Sequence, residues 1–233
     1  MHSCTVVAGE YPSILLEEWD RCNEAEGTFN DRPTFYGQDS LHVVLVMEFG
    51  GLDLEHSTLS SIARVKSVLL QILSAVALAE EKLEFEHRDL HLGNVLVKES
   101  HREDIRLGNY QRIPTAGIVT SIIDCSLSRF KDESGLFFRD LSRDDWLFTG
   151  DEKESRQYQV YRDMKALLQS DWDKHDGKSN LLWIAYMADE LLAKYEKLGK
   201  KEPILYESLM QFGRTLKTFS STREAFNHLY SLK

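Results

Sequence analysis

Between residues 60 and 83 the apolar positions Ile62, Val65, Val68, Leu69, Ile72, Val76, Ala79 and Leu83 recur by threes and fours. That spacing predicts a long, largely buried helix, with Ser60 or Ser61 as its N-cap. Leu41-His42-Val43-Val44-Leu45-Val46-Met47-Glu48 reads as a strand running into the connector Phe49-Gly50-Gly51-Leu52-Asp53-Leu54. Nearer the N-terminus, Cys4–Ala8 reads as a short strand and Ser13–Trp19 as a helix capped by Ser13, followed by a polar surface loop over 23–40. Strands over Leu96–Lys98 and Ile118–Ile123 flank a polar connector, 99–117, within which Ile105-Arg106-Leu107 forms another. Helical patterns then occupy about 157–169, 179–198, 203–218 and 221–230. Trp and Met on their apolar faces are core residues. The order is that of an α+β fold, a few strands around a mostly helical body.

The long helix delivers the chain to Phe85-Glu86-His87-Arg88-Asp89-Leu90-His91-Leu92-Gly93-Asn94-Val95-Leu96-Val97-Lys98. His87-Arg88-Asp89 followed by Asn94 is the H-R-D-L-x-x-x-N pattern of a protein-kinase catalytic loop. Phosphoryl transfer needs one carboxylate to hold the attacking hydroxyl and a second oxygen ligand on the same loop to grip a magnesium ion. Asp89 and Asn94 suit those two tasks. A further metal ligand is expected at the end of a buried strand, and Asp124 closes Ile118–Ile123 in that way. The Gly-Gly connector then reads as a hinge whose main chain pairs with adenine, with Asp53 reaching the ribose.

Composition narrows the setting. The chain has 233 residues, 42% hydrophobic and 28% charged, enough for one good core. No continuous apolar run approaches the roughly 18 residues of a membrane span, and the N-terminus carries no signal-like segment, so neither a membrane nor secretion is expected. Cys4, Cys22 and Cys125 are scattered outside any metal-ligand spacing, which points to reduced thiols in the nucleus or cytoplasm. A net charge of −10 argues against direct nucleic-acid binding and favours a basic protein or peptide partner. Acidic residues concentrate at Asp140, Asp144, Asp145, Asp151, Glu152 and Glu154, around Trp146-Leu147-Phe148-Thr149-Gly150. That stretch follows Asp124, where kinases hold substrate peptides, although such a run is also what a solvated face looks like.

Taken together, the loop 85–96, the block Ile122-Ile123-Asp124-Cys125-Ser126-Leu127-Ser128-Arg129, the hinge Glu48–Leu54 and Leu147-Phe148-Thr149-Gly150-Asp151 resemble haspin, an atypical Ser/Thr protein kinase family. The resemblance runs from about Tyr11 to the C-terminus. His91 stands where most kinases have lysine, Phe-Gly is absent after Asp124, and no Ala-Pro-Glu segment occurs. The resemblance implies a kinase-like fold with 1–47 as a remnant of the N-lobe, 48–54 as hinge and 55–233 as C-lobe. It implies ATP and Mg²⁺ as cofactors and a histone-tail threonine as substrate. Asp89, with Arg88 and His91, is then catalytic, and Asn94 and Asp124 hold the metal. Met47 (the gatekeeper), Glu48, Phe49, Gly50 and Asp53 contact the nucleotide, and Asp144 and Asp151 contact the substrate. Trp146 replaces an acid of the family's peptide-holding cluster, and the segment after Asp151 is longer than usual.

The family picture puts Met1 after the Gly-rich loop, the strand lysine and the helix glutamate. Losing such preorganised donors costs about 10²–10³ in rate each, so the expectation includes weak catalysis. An impaired kinase, or a basic-peptide-binding module, is therefore a second reading. A small-molecule phosphotransferase of the aminoglycoside or choline kinase type, whose loop also reads Asp-Leu-His-x-Gly-Asn, is a third.

Overall fold

The structure, a computed structural model, describes residues 2–28, 30–151, 153 and 155–232. It divides into two units, 1–49 and 50–233. In the first, β1 (Ser3–Ala8) and β2 (Leu41–Val46) pair antiparallel, Ser3 opposite Val46 and Ala8 opposite Leu41. α1 (Ser13–Glu26) connects them and buries none of its residues. Pro12, not Ser13, takes the N-cap position of α1, and the helix runs on through residues 23–26, which sequence reading assigns to the loop. Bidentate bonds from Arg32 to Asp20, 2.7 and 2.8 Å, anchor that loop onto the helix.

The second unit is built on α2 (Ile62–Leu83). Ser61 caps it, its side chain accepting from the Arg64 N–H at 3.2 Å. By length and composition alone α2 is apolar enough to cross a membrane, which corrects the expectation that no segment is. Interspersed Arg64, Lys66 and Gln71 hide this from a search for an unbroken apolar run. About two thirds of α2's most apolar stretch is buried (67%), in contact with α5 (Lys178–Lys194), α8 (Thr222–Ser231) and β7 (Ile118–Ile122), so here it is the core helix.

β3 (Leu52–Asp53), β4 (Val95–Glu99) and β7 form a three-stranded antiparallel sheet in the order β3-β4-β7, with Val95 opposite Ile122. The connector between β4 and β7 forms its own ladder of β5 (Asp104–Ile105) and β6 (Ile113–Pro114), so the short strand expected at 105–107 lies earlier and has a partner. A hairpin of β8 (Arg129–Asp132) and β9 (Gly135–Phe138) follows Asp124, stacking Phe130 on Phe137 with centroids 4.9 Å apart. Then come α3 (Trp146–Thr149), α4 (Gln157–Leu168), α5, α6 (Glu196–Gly199), α7 (Pro203–Thr215) and α8. The helix expected over 179–198 is thus two, divided at Tyr195, whose hydroxyl is drawn back to donate to the Ser57 carbonyl.

The two units should differ in protection. Amides of β1 and β2, on a two-stranded sheet with nearly every residue exposed, should exchange at least about 100-fold faster than those of α2. Hydrogen exchange read by mass spectrometry checks this; equal protection would refute it.

Candidate active site

The chain leaves α2 through Glu84, whose left-handed φ of 47° ends the helix, and reaches β4 by a single 3-10 turn, Leu92–Asn94. Within the loop Glu86, His87 and Arg88 are buried, while Asp89 and His91 are half-buried. The motif's first two residues therefore belong to the scaffold. Arg88, expected among the catalytic residues, is fully buried. Its guanidinium donates to Glu86 Oε2 at 3.3 Å and to the carbonyls of Trp172 at 2.7 Å and Lys174 at 3.1 Å. These contacts hold its φ at 65°, a left-handed conformation that L residues rarely adopt. Arg88 positions Asp89 through the backbone and does not itself touch the site.

His87 links the two ends of the site. Its Nδ1 accepts from the Asp89 N–H at 3.3 Å, so the proton sits on Nε2, which donates to the Ile123 carbonyl at 3.0 Å. Burial pushes the imidazole pKa down and keeps it neutral. The Ile123 N–H in turn donates to the Asn94 carbonyl at 3.0 Å. Asp89, Asn94 and Asp124 are thereby tied to one end of the β4-β7 pair. Buried Asn180 on α5 completes the support, accepting from the His87 N–H at 3.0 Å and donating to the Phe85 carbonyl at 2.8 Å.

Asn94 spends its amide nitrogen on Asp89, 2.8 Å from the carbonyl and 3.3 Å from Oδ2, so its amide oxygen is the atom offered to a ligand. Asp124 is exposed with φ 59°, a conformation that Asp tolerates better than most residues. Its Oδ1 accepts from the Ser126 N–H at 3.1 Å, and the bonds from Ser126 hold its pKa below the usual carboxylate range, so it is anionic at neutral pH. Burial pushes Asp89 up, against the pull of a hydrogen bond from the Tyr161 hydroxyl to Oδ1. His91 Nδ1 accepts from the Gly93 N–H at 3.1 Å, capping the 3-10 turn, while its Nε2 lies 3.9 Å from Asp89 Oδ1, beyond hydrogen-bond reach.

Tyr161, on α4, is the site residue that sequence reading misses. Its only signal there is a tyrosine between Val160 and Met164 on a face that is otherwise apolar.

The expected nucleotide residues fall in both units. Met47, Glu48 and Phe49 follow β2 in the first, with Met47 and Phe49 exposed. Gly50 and Asp53 belong to the second. Between them Gly51 has φ 106°, and a Cβ there would lie 1.9 Å from the Val97 carbonyl oxygen, so only glycine lets the chain pass β4 so closely. Asp53 Oδ1 accepts from the His56 N–H at 2.9 Å and lies 2.8 Å from His56 Nδ1.

In the acidic segment several carboxylates are already engaged locally. Asp144 is held bidentate by Arg139, at 3.0 and 2.9 Å. Asp151 accepts from the Lys153 N–H at 2.9 Å, and Asp140 from the Ser142 N–H at 3.0 Å. Glu152 and Glu154 lie outside the described residues. Trp146 is exposed.

The family model described as the haspin-like kinase domain matches residues 1–232. The chain belongs to the haspin-like kinase family. It is 38% identical over 96% of its length to the mouse serine/threonine-protein kinase haspin. It is 39% identical over 96% to the bovine haspin, and 32% over 98% to the Drosophila melanogaster haspin homolog. The aligned region makes up 31%, 30% and 41% of those relatives, so the chain spans about a third of the length of the haspins it matches. The match sets aside the aminoglycoside and choline kinase reading.

Proposed function

We propose that the chain is a Ser/Thr protein kinase that uses magnesium ATP and acts on a basic protein tail, a histone-tail threonine being the substrate the family resemblance implies. The observation that carries this reading is the hydrogen-bonded tie of Asp89, Asn94 and Asp124 to one end of β4-β7, through His87 and Ile123. The donor chemistry fits: an amide oxygen and an anionic carboxylate are the hard oxygen ligands that Mg²⁺ prefers. When bound, magnesium ATP supplies the γ-phosphoryl group, which moves to the substrate oxygen as the bond to the β,γ-bridging oxygen breaks. Asp89 would orient the attacking hydroxyl and take its proton, while Asn94 and Asp124 would hold the cation, which would neutralise phosphate charge. His91 keeps the 3-10 turn closed so that Asn94 stays on the same side as Asp89.

For the substrate, an incoming cation at Asp144 must displace Arg139, exchanging one ion pair for another. Selectivity for a basic tail therefore draws on the overall negative charge as well as on this one acid. Cys4, Cys22 and Cys125 are exposed free thiols, which supports a reducing compartment, nucleus or cytoplasm.

Calorimetric titration of ATP into the 233-residue chain, with and without Mg²⁺, tests the reading. Binding should require the metal, and Asp124→Ala should weaken it at least about tenfold, equivalent to about 1.4 kcal/mol. Equal affinity without metal, or in the variant, would remove Asp124 from the site. No binding at all would favour the basic-peptide-binding alternative.

A further inference from the structure

We propose that Tyr161 is a positioning residue of the transfer site, its hydroxyl fixing the Asp89 carboxylate in the orientation that receives the substrate hydroxyl. The inference rests on the reading of Asp89 given above and adds a residue from α4, 72 positions downstream.

The ring of Tyr161 is 3% exposed and packs edge-on against Trp183, which is fully buried, with centroids 4.9 Å apart at 77°. Val160, Met164 and Leu168 complete the buried face of α4. For packing alone phenylalanine would serve at 161, because a hydroxyl buried without a partner costs about 1–3 kcal/mol. The oxygen is instead aimed at Asp89 Oδ1, to which it donates. Burial and the neighbouring Asp89 charge push the Tyr161 pKa up, so it keeps its proton and remains a donor.

A carboxylate with one anchored oxygen still pivots about that contact. Here Asn94 Nδ2 approaches Oδ2 at 3.3 Å while Tyr161 holds Oδ1, so the two oxygens are tethered from separate elements. The clamp sets the plane of the carboxylate and still leaves lone pairs on both oxygens for an incoming hydroxyl. Catalysis is sensitive to this, since a misplacement of about 1 Å in a reacting group costs about 10²-fold in rate. The hydroxyl is neutral, so the tyrosine restrains the carboxylate without neutralising the charge needed to take a proton.

Tyr161→Phe keeps the ring and removes only the oxygen. With magnesium ATP and a basic threonine peptide, kcat should fall about 10–100-fold while both KM values stay within about twofold. That split separates misorientation of the reacting carboxylate from general loosening of the lobe, which moves KM as well. A second readout needs no turnover. Tyr161→Phe should lower the melting temperature by about 2–4 °C in the wild-type background but by less than about 1 °C in the Asp89→Ala background, where the acceptor is gone. Unchanged kcat in Tyr161→Phe, or equal melting losses in the two backgrounds, would overturn the inference. If the wild-type chain transfers no phosphate to any peptide, the kinase reading fails instead, and the melting comparison alone decides whether Tyr161 holds Asp89.

Discussion

Asp89→Asn lowers kcat for phosphoryl transfer by about 10²–10⁴-fold and leaves ATP affinity within about threefold of wild type. Asparagine is nearly isosteric, so its oxygen still accepts from Tyr161 and the loop keeps its shape. What it loses is the negative charge that draws the hydroxyl proton and the basicity to receive it. On the proposed reading nucleotide binding rests on a metal held by Asn94 and Asp124, which the substitution leaves in place. Transfer of labelled phosphate to a basic threonine peptide, run beside calorimetry of ATP, measures both halves. Turnover within tenfold of wild type would mean that Asp89 is not the acceptor.

Arg88→Met destabilises the fold. Arg88 and Glu86 are both fully buried, and the pair is held by further bonds: Glu86 Oε1 accepts from the Asp176 N–H at 2.9 Å and Oε2 from Ser179 Oγ at 2.6 Å. Methionine fills much of the same volume but abandons a buried carboxylate and two carbonyls, a loss of about 3–5 kcal/mol. For a chain of this size that is a fall in melting temperature of about 6–20 °C. The backbone cannot account for such a fall, because methionine and arginine meet the same steric cost at a φ of 65°. A melting curve by circular dichroism within about 2 °C of wild type would show that the buried pair contributes little.

These two neighbours mark how far sequence reading reaches. The spacing of Asp89, Asn94 and Asp124 was legible because one loop and one strand end hold them, and local order preserves local geometry. The α2 pattern was legible for a similar reason, a buried stripe repeating over twenty-two residues. The burial of Arg88 is not legible, because adjacent residues on an irregular loop face different surroundings and nothing in His87-Arg88-Asp89 says which is inside. The β8-β9 hairpin was hidden by its charges: Lys131 and Asp132 read as solvated surface, while the Phe130–Phe137 stack exists only once the turn at Ser134 and Gly135 has formed, closed by Asp132. Tyr161 could not be found by periodicity, since its partner lies on another element. The acids at 140, 144 and 151 were legible as acids, but their engagement by Arg139 and nearby backbone N–H groups is a property of the folded turn.

The burial of His87 and Arg88 beside a half-exposed Asp89 also bears on how such a sequence drifts once selection for turnover is relaxed. The two buried residues stay under purifying pressure for folding alone, whereas the aspartate is released. A descendant that retains His-Arg and varies at the third position has lost chemistry while keeping its architecture, and one that loses the arginine has begun to lose the domain.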